Sequence, residues 1–174
     1  SARVVCPHAF WGLRRSVCRT VLLQPRRVPP PPSPLQLSRA LYAATTRADA
    51  ESPAADPPTD SLARALHLRL GQVTRVRSWR AWRRAVREHQ PGLLLLLAHT
   101  EESAGERFLQ IGAGSLLSSI DLRPSDVRTA GAPPPLVVLV SCATAQAGDA
   151  FGSFHGALTA RGAAAVVGTL AKLN

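Results

Sequence analysis

Hydrophobic residues in this chain gather into two continuous runs and several periodic ones. Leu93-Leu94-Leu95-Leu96-Leu97-Ala98 leads directly into His99, and Leu136-Val137-Val138-Leu139-Val140-Ser141 leads into Cys142. Short apolar runs bounded by turn residues, here Pro91-Gly92 and Pro133 to Pro135, predict strands buried on both faces. Trp79, Trp82 and Val86 recur at spacings of three and four behind Ser78. That pattern predicts an amphipathic helix with Ser78 as N-cap, stopped by Pro91-Gly92. Asp60 or Ser61 is positioned to cap another helix through Leu62, Ala65, Leu66 and Leu70. Arg3 to Cys6 and Leu41 to Thr45 read as strands, Val73 to Val76 as an edge strand, and Phe108 to Ile111 as a short strand in a hairpin. Pro124 to Arg128 suits a brief helix. Phe151 to Ala160 reads as a helix capped by Gly162, and Ala165 to Thr169 as a further buried strand. Residues 24–34 and 49–59 are proline-rich or polar loops. Strands alternating with helices predict an α/β fold: a mostly parallel central sheet with helices on both faces.

The length of 174 residues fits one domain over residues 1–174 with a substantial core. No run reaches the roughly 18 apolar residues that a membrane-crossing helix requires. The chain starts at Ser1 and contains no methionine, so it is expected to be part of a longer protein, incomplete at both ends. Its first 48 residues hold no acid, as in a transit peptide, but the apolar Ala2 to Pro7 and the pair Phe10-Trp11 read as structure instead. Three widely spaced cysteines make no disulfide framework and point to a reducing, cytoplasmic setting. Net charge is +10, and eight arginines lie between Arg64 and Arg87 with no acid among them. Such a stripe can mark a nucleic-acid surface. Here Arg80, Arg83, Arg84 and Arg87 occupy the helix positions that the tryptophans leave over, which favours a solvated helix face. A third use is selection of an acidic or phosphorylated substrate by one arginine.

Candidate chemistry follows from where the two apolar runs end. Residues at the carboxyl ends of parallel strands converge on one crevice. His99 and Cys142 stand at two such ends and together make a candidate base–nucleophile dyad. The structural alternative is an inert buried thiol and a histidine satisfying a hydrogen bond. His155, on the helix after Cys142, is a rival base, although a helix on the sheet face points its residues away from the crevice mouth. Other chemistries lack their motifs. Gly112-Ala113-Gly114 has Leu117 where a dinucleotide fingerprint needs glycine, and no nucleophile elbow surrounds Ser115. Cys6, His8 and Cys18 match no structural zinc spacing. Glu101 and Glu102 read as solvated charges in a loop after His99. Neither a metal nor a cofactor is expected.

Several blocks, taken in order, carry a resemblance. Pro135 to Thr144, an apolar strand followed by Ser141-Cys142-Ala143-Thr144, resembles the cysteine block of CHAT domains, which are caspase-like cysteine peptidases. Phe154 to Thr169 resembles the next helix and strand of that family. Cys6-Pro7-His8-Ala9-Phe10-Trp11-Gly12 resembles its early Pro-x-x-x-Trp loop, and Ile120 to Val127 a short segment with a Leu-x-x-x-Asp-Leu-type turn. The resemblance covers nearly the whole chain. It implies a caspase-like three-layer sandwich. It also implies a cysteine endopeptidase with Cys142 as nucleophile and His99 as catalytic histidine, and an oxyanion hole from the backbone amides of Thr100 and Cys142. Its partners would be a protein or peptide substrate and a fused N-terminal repeat domain within a larger bacterial protein. Two departures support a different outcome, a catalytically inactive CHAT-like scaffold or signalling module. Thr100 stands where the family has glycine, and the chain stops at Asn174, soon after the strand ending in Thr169. A β-branched residue resists the positive φ that glycine allows.

Overall fold

The computed structural model describes residues 35, 37–45, 58–103, 106–141 and 154–168. All belong to one of the chain's two units, Pro32–Asn174. The expected strand Arg3 to Cys6, the loop 24–34 and the aromatic loop at Phe10 lie outside the described residues, as do the start of the helix expected from Phe151 and Cys142 itself.

Five strands build a parallel sheet: β1 Arg39–Ala44, β2 Gln72–Val76, β3 Leu93–Leu97, β7 Leu136–Val140 and β8 Ala165–Gly168. Their order is β2-β1-β3-β7-β8, so the poly-leucine strand β3 sits in the middle. Adjacent strands run parallel, with Tyr42 opposite Leu95 and Leu95 opposite Val138. Period-two alternation splits their side chains between two cores. Tyr42, Ala44 and Leu95 face helix α1, Pro58–Leu70, through Leu62, Ala63 and Leu66. Leu41, Ala43, Leu94, Leu96, Val137 and Leu139 face the opposite side. There they meet α2, Trp79–His89, and α3, Phe154–Ala160. Helices therefore cover both faces, and this unit is the expected three-layer α/β sandwich.

A second, antiparallel sheet branches from the first. It consists of β4 His99–Ser103, β5 Glu106–Ile111 and β6 Ser115–Ser118, in that order. Helix α2 fastens it to the main sheet. The Ser78 hydroxyl accepts from the Ala81 amide at 3.2 Å as the expected N-cap, and Trp79, Trp82, Ala85 and Val86 are buried. The indole N–H of Trp79 donates to the Leu109 carbonyl on β5 at 3.2 Å. The indole N–H of Trp82 donates to the Asp126 carbonyl at 2.7 Å, in the 3-10 helix Pro124–Asp126. The two rings pack edge to face with centroids 5.9 Å apart. The helix ends at Gln90, whose amide still donates to the Val86 carbonyl while its left-handed φ of 44° turns the chain out of the helix. On the solvent side, Arg84 donates to Glu88 one turn along and holds that carboxyl below its usual range.

Asp126 is the buried acid that locks this corner. Its carboxylate accepts from Arg83 Nε at 2.5 Å and from the Arg123 amide at 2.7 Å, and its side chain has no exposed surface. Asp126→Asn keeps an acceptor but loses the charge-assisted bond, so the expected cost is about 2 kcal/mol in urea denaturation. A midpoint equal to the parent's would show that Arg83 contributes nothing to holding the turn.

Five local expectations need correction. Glu101 lies in strand β4, because pairing with β5 sets Glu101 opposite Phe108 and Glu102 opposite Arg107. The segment after His99 is therefore no loop. Helix α1 begins at Pro58, so the 49–59 loop ends sooner and Asp60 and Ser61 are not its caps. Proline suits a first helical turn, where its missing N–H is no loss. Among the described residues strand β8 is an edge strand, with Val167 55% exposed, which differs from the buried strand expected there. The apolar Ala165-Val166-Val167 suggests a buried strand, but among the described residues only β7 flanks it. The brief helix at Pro124 is a 3-10 turn that stops at Asp126, and β1 begins at Arg39 and ends at Ala44.

Candidate functional site

Strand order locates the crevice. The chain passes from β1 outward to β2, then crosses back over β1 to β3, so the topological switch lies between β1 and β3. Ligands of open α/β sheets bind outside the carboxyl ends of strands at such a switch. Those ends carry Ala44-Thr45, Leu97-Ala98-His99 and Val140-Ser141 on three neighbouring strands.

Each end is held by backbone hydrogen bonds. The Thr45 amide donates to the Leu97 carbonyl at 2.8 Å, and the Ala98 amide to the Val140 carbonyl at 3.1 Å. At Ala98, which is buried, the chain leaves the main sheet, and at His99 it enters the second one, opposite Gln110. His99 is half-buried where the two sheets meet. Because Leu109 beside Gln110 is bonded to Trp79, the position of His99 depends on α2 as well as on β3.

Hydroxyl groups cluster at the same edge. Thr100 Oγ1 and Ser141 Oγ share a hydrogen bond of 2.5 Å, joining β4 to the end of β7. Ser141 is 3% exposed and Thr45 7%. The turn between β5 and β6 closes the crevice from the side. The Gly112 amide donates to the Ala44 carbonyl at 2.8 Å, and Gly112 forms an isolated parallel bridge with Thr45. Gly112 has φ +57°, and a Cβ there would lie 2.0 Å from the Arg77 carbonyl oxygen. Only glycine permits that approach.

The sequence-derived candidates fare differently. His99 and Thr100 stand at the carboxyl edge of the sheet, whereas Cys142 lies outside the described residues. Thr100 has an extended strand backbone, since Gln90 is the one non-glycine residue with positive φ among the described residues. His155 faces the main sheet, where its Nε2 donates to the Val166 carbonyl on β8 at 3.1 Å. Cys6, His8 and Cys18 lie outside the described residues, and among the described residues no three metal-ligating side chains gather. No helix among the described residues is long and apolar enough to cross a membrane.

Sequence reasoning missed the Thr100–Ser141 bond and the role of Gly112. The first joins residues 41 positions apart and leaves no local signal. The second had one: a Gly-Ala-Gly triplet between two short apolar segments marks a turn that needs positive φ.

The CHAT domain family matches this chain over residues 19–174. No curated protein matches it.

Proposed function

This chain belongs to the CHAT domain family, and from that premise we propose that it is a caspase-like cysteine endopeptidase acting through Cys142 and His99. The observation that carries the reading is the register of β3 against β7. Leu97 stands opposite Val140, the Ala98 amide bonds the Val140 carbonyl, and Thr100 bonds Ser141. The two segments thus stay side by side up to the residue before Cys142. Cys142 is the next residue in the chain, one peptide unit of about 3.8 Å between Cα atoms beyond Ser141, and this sequence position supports the dyad reading.

The chemistry is acyl transfer to sulfur. The Cys142 thiolate attacks the scissile carbonyl carbon, forming a C–S bond and a tetrahedral oxyanion that backbone amides stabilise. His99, protonated when the thiolate forms, gives its proton to the leaving amine as the C–N bond breaks. Water then attacks the thioester, releases the new carboxyl group and returns the thiol. The substrate is a protein or peptide, and the odd cysteine count suits a cytoplasmic setting in which the thiol stays reduced.

One observation favours a second reading, a catalytically inactive scaffold. Thr100 occupies the place of the family's glycine and is held in an extended strand, with its hydroxyl committed to Ser141. An amide presented by a left-handed residue is therefore not available at that position.

Iodoacetamide labelling with Cys6 and Cys18 replaced by serine separates the two. A peptidase is expected to alkylate at neutral pH about tenfold faster than a free thiol of pKa about 8.5, and His99→Ala is expected to abolish that advantage. Slow labelling that His99→Ala leaves unchanged would overturn the dyad and leave the scaffold reading.

A further inference from the structure

Four arginines from three separate segments line a single cavity of about 610 Å³. Arg83 and Arg87 sit one turn apart on α2, Arg128 follows the 3-10 helix, and Arg161 lies in the turn after α3. Arg87 is in the last turn of α2, and Arg161 shortly precedes β8. Both are toward the amino ends of the strands, whereas His99 is at the carboxyl ends. The cavity is therefore distinct from the crevice described above.

Among the described residues its charge is largely uncompensated. Asp126 is paired with Arg83, and its second oxygen is taken by the Arg123 amide. Arg161 Nε donates to the Leu122 carbonyl at 2.7 Å, and Arg128 Nη1 to the Ala132 carbonyl at 3.4 Å. Neutral carbonyls orient these guanidinium groups without cancelling their charge. Arg87 lines the same space and makes no ion pair among the described residues. Solvated arginines on a helix face would account for Arg80 or Arg84, but two further features show a built arrangement. Thr129 also lines the cavity, and its hydroxyl is buried with no hydrogen-bond partner among the described residues. Gly162, at φ +101°, leaves room that Arg128 fills, and a Cβ there would lie 2.6 Å from Arg128 Nε.

We propose that this cavity binds a compact polyphosphate group of a small molecule. Guanidinium groups match phosphate oxygens with paired, charge-assisted hydrogen bonds. Three cations that no described acid compensates, in one small space, call for several negative charges on one compact group. A linked pair or trio of phosphates supplies that density, whereas a peptide would have to bring three separate carboxylates together. The volume lies in the range of small-molecule sites. The site acts at a distance from the candidate crevice, and it stands whether or not Cys142 is a nucleophile.

Inorganic tripolyphosphate is the probe, titrated into the full chain with thermal unfolding as the readout. A saturable rise in Tm is expected, beyond that given by sodium chloride at equal ionic strength. Arg87→Gln, at an exposed position that folding does not depend on, is expected to weaken binding about tenfold, and Gly162→Ala to weaken it by displacing Arg128. Arg84→Gln, on the same helix but paired with Glu88 outside the cavity, is expected to bind as the parent does. No saturable shift, or equal affinity in Arg87→Gln and the parent, would overturn the site. Hexaglutamate binding as tightly as tripolyphosphate would overturn its assignment to phosphate.

Discussion

Trp82→Ala is expected to lower stability by about 4 kcal/mol, the largest loss from any single side chain on α2. Trp82 is 1% exposed, packs edge to face on Trp79, and gives its indole N–H to the Asp126 carbonyl. Truncation leaves a large void under the helix and an unpaired buried carbonyl at the turn that Asp126 closes. Domains of this size are stable by only about 5–15 kcal/mol, so the variant should populate unfolded chain under mild denaturant. Trp82→Phe is the milder change: it keeps one aromatic ring but loses the N–H bond to Asp126 and part of the packed volume, for about 2–3 kcal/mol. Circular dichroism during urea titration reads both. A Trp82→Ala midpoint within about 1 kcal/mol of the parent would show that the helix does not rest on this ring.

The same helix shows what the sequence makes legible. Its apolar residues recur with the helical period and its cap is a serine, so the sequence alone places a helix from Trp79 to Val86. The strands β3 and β7 were equally plain, because a central parallel strand is buried on both faces and its run of apolar residues is unbroken. Strand β4 was hidden for the opposite reason. His99-Thr100-Glu101-Glu102-Ser103 is polar throughout, and it becomes a strand by pairing with β5, a tertiary effect that local pattern does not carry. Strand β6, Ser115–Ser118, has only two apolar residues and depends in the same way on its partner.

Candidate sites divide along the same line. His99 was legible because it ends an unmistakable strand. The arginine cavity was not, since Arg83, Arg128 and Arg161 are brought together by the docking of α2, the 3-10 turn and α3. In the sequence, Arg83 belongs to a stripe of like charges, and nothing there distinguishes it from Arg84. Burial of Asp126 makes the distinction: Arg83 turns to a carboxylate in the interior, while Arg84 pairs with an exposed Glu88.

Gly112→Ala is the second substitution expected to have a large effect, a loss of about 3–5 kcal/mol. Two terms add. A residue with a side chain at φ +57° carries a conformational cost of about 1 kcal/mol. The new Cβ would also lie 2.0 Å from the Arg77 carbonyl oxygen and 2.9 Å from its carbon, and a backbone neighbour cannot rotate away as a side chain can. The turn must back off, and in doing so it stretches the 2.8 Å bond from the Gly112 amide to the Ala44 carbonyl. Gly71 and Gly131 isolate the first term. Both have positive φ, 77° and 81°, with nothing within 4 Å of a built Cβ, so alanine at either should cost only about 1 kcal/mol. The excess at Gly112 then measures the close approach itself. Because that approach joins the second sheet to the end of β1 beside His99, the excess should be accompanied by faster hydrogen exchange at the Thr45 amide, which bonds Leu97 across the crevice. If Gly112→Ala costs no more than Gly71→Ala, the β5–β6 turn is not pressed against Arg77 and this side of the crevice is open.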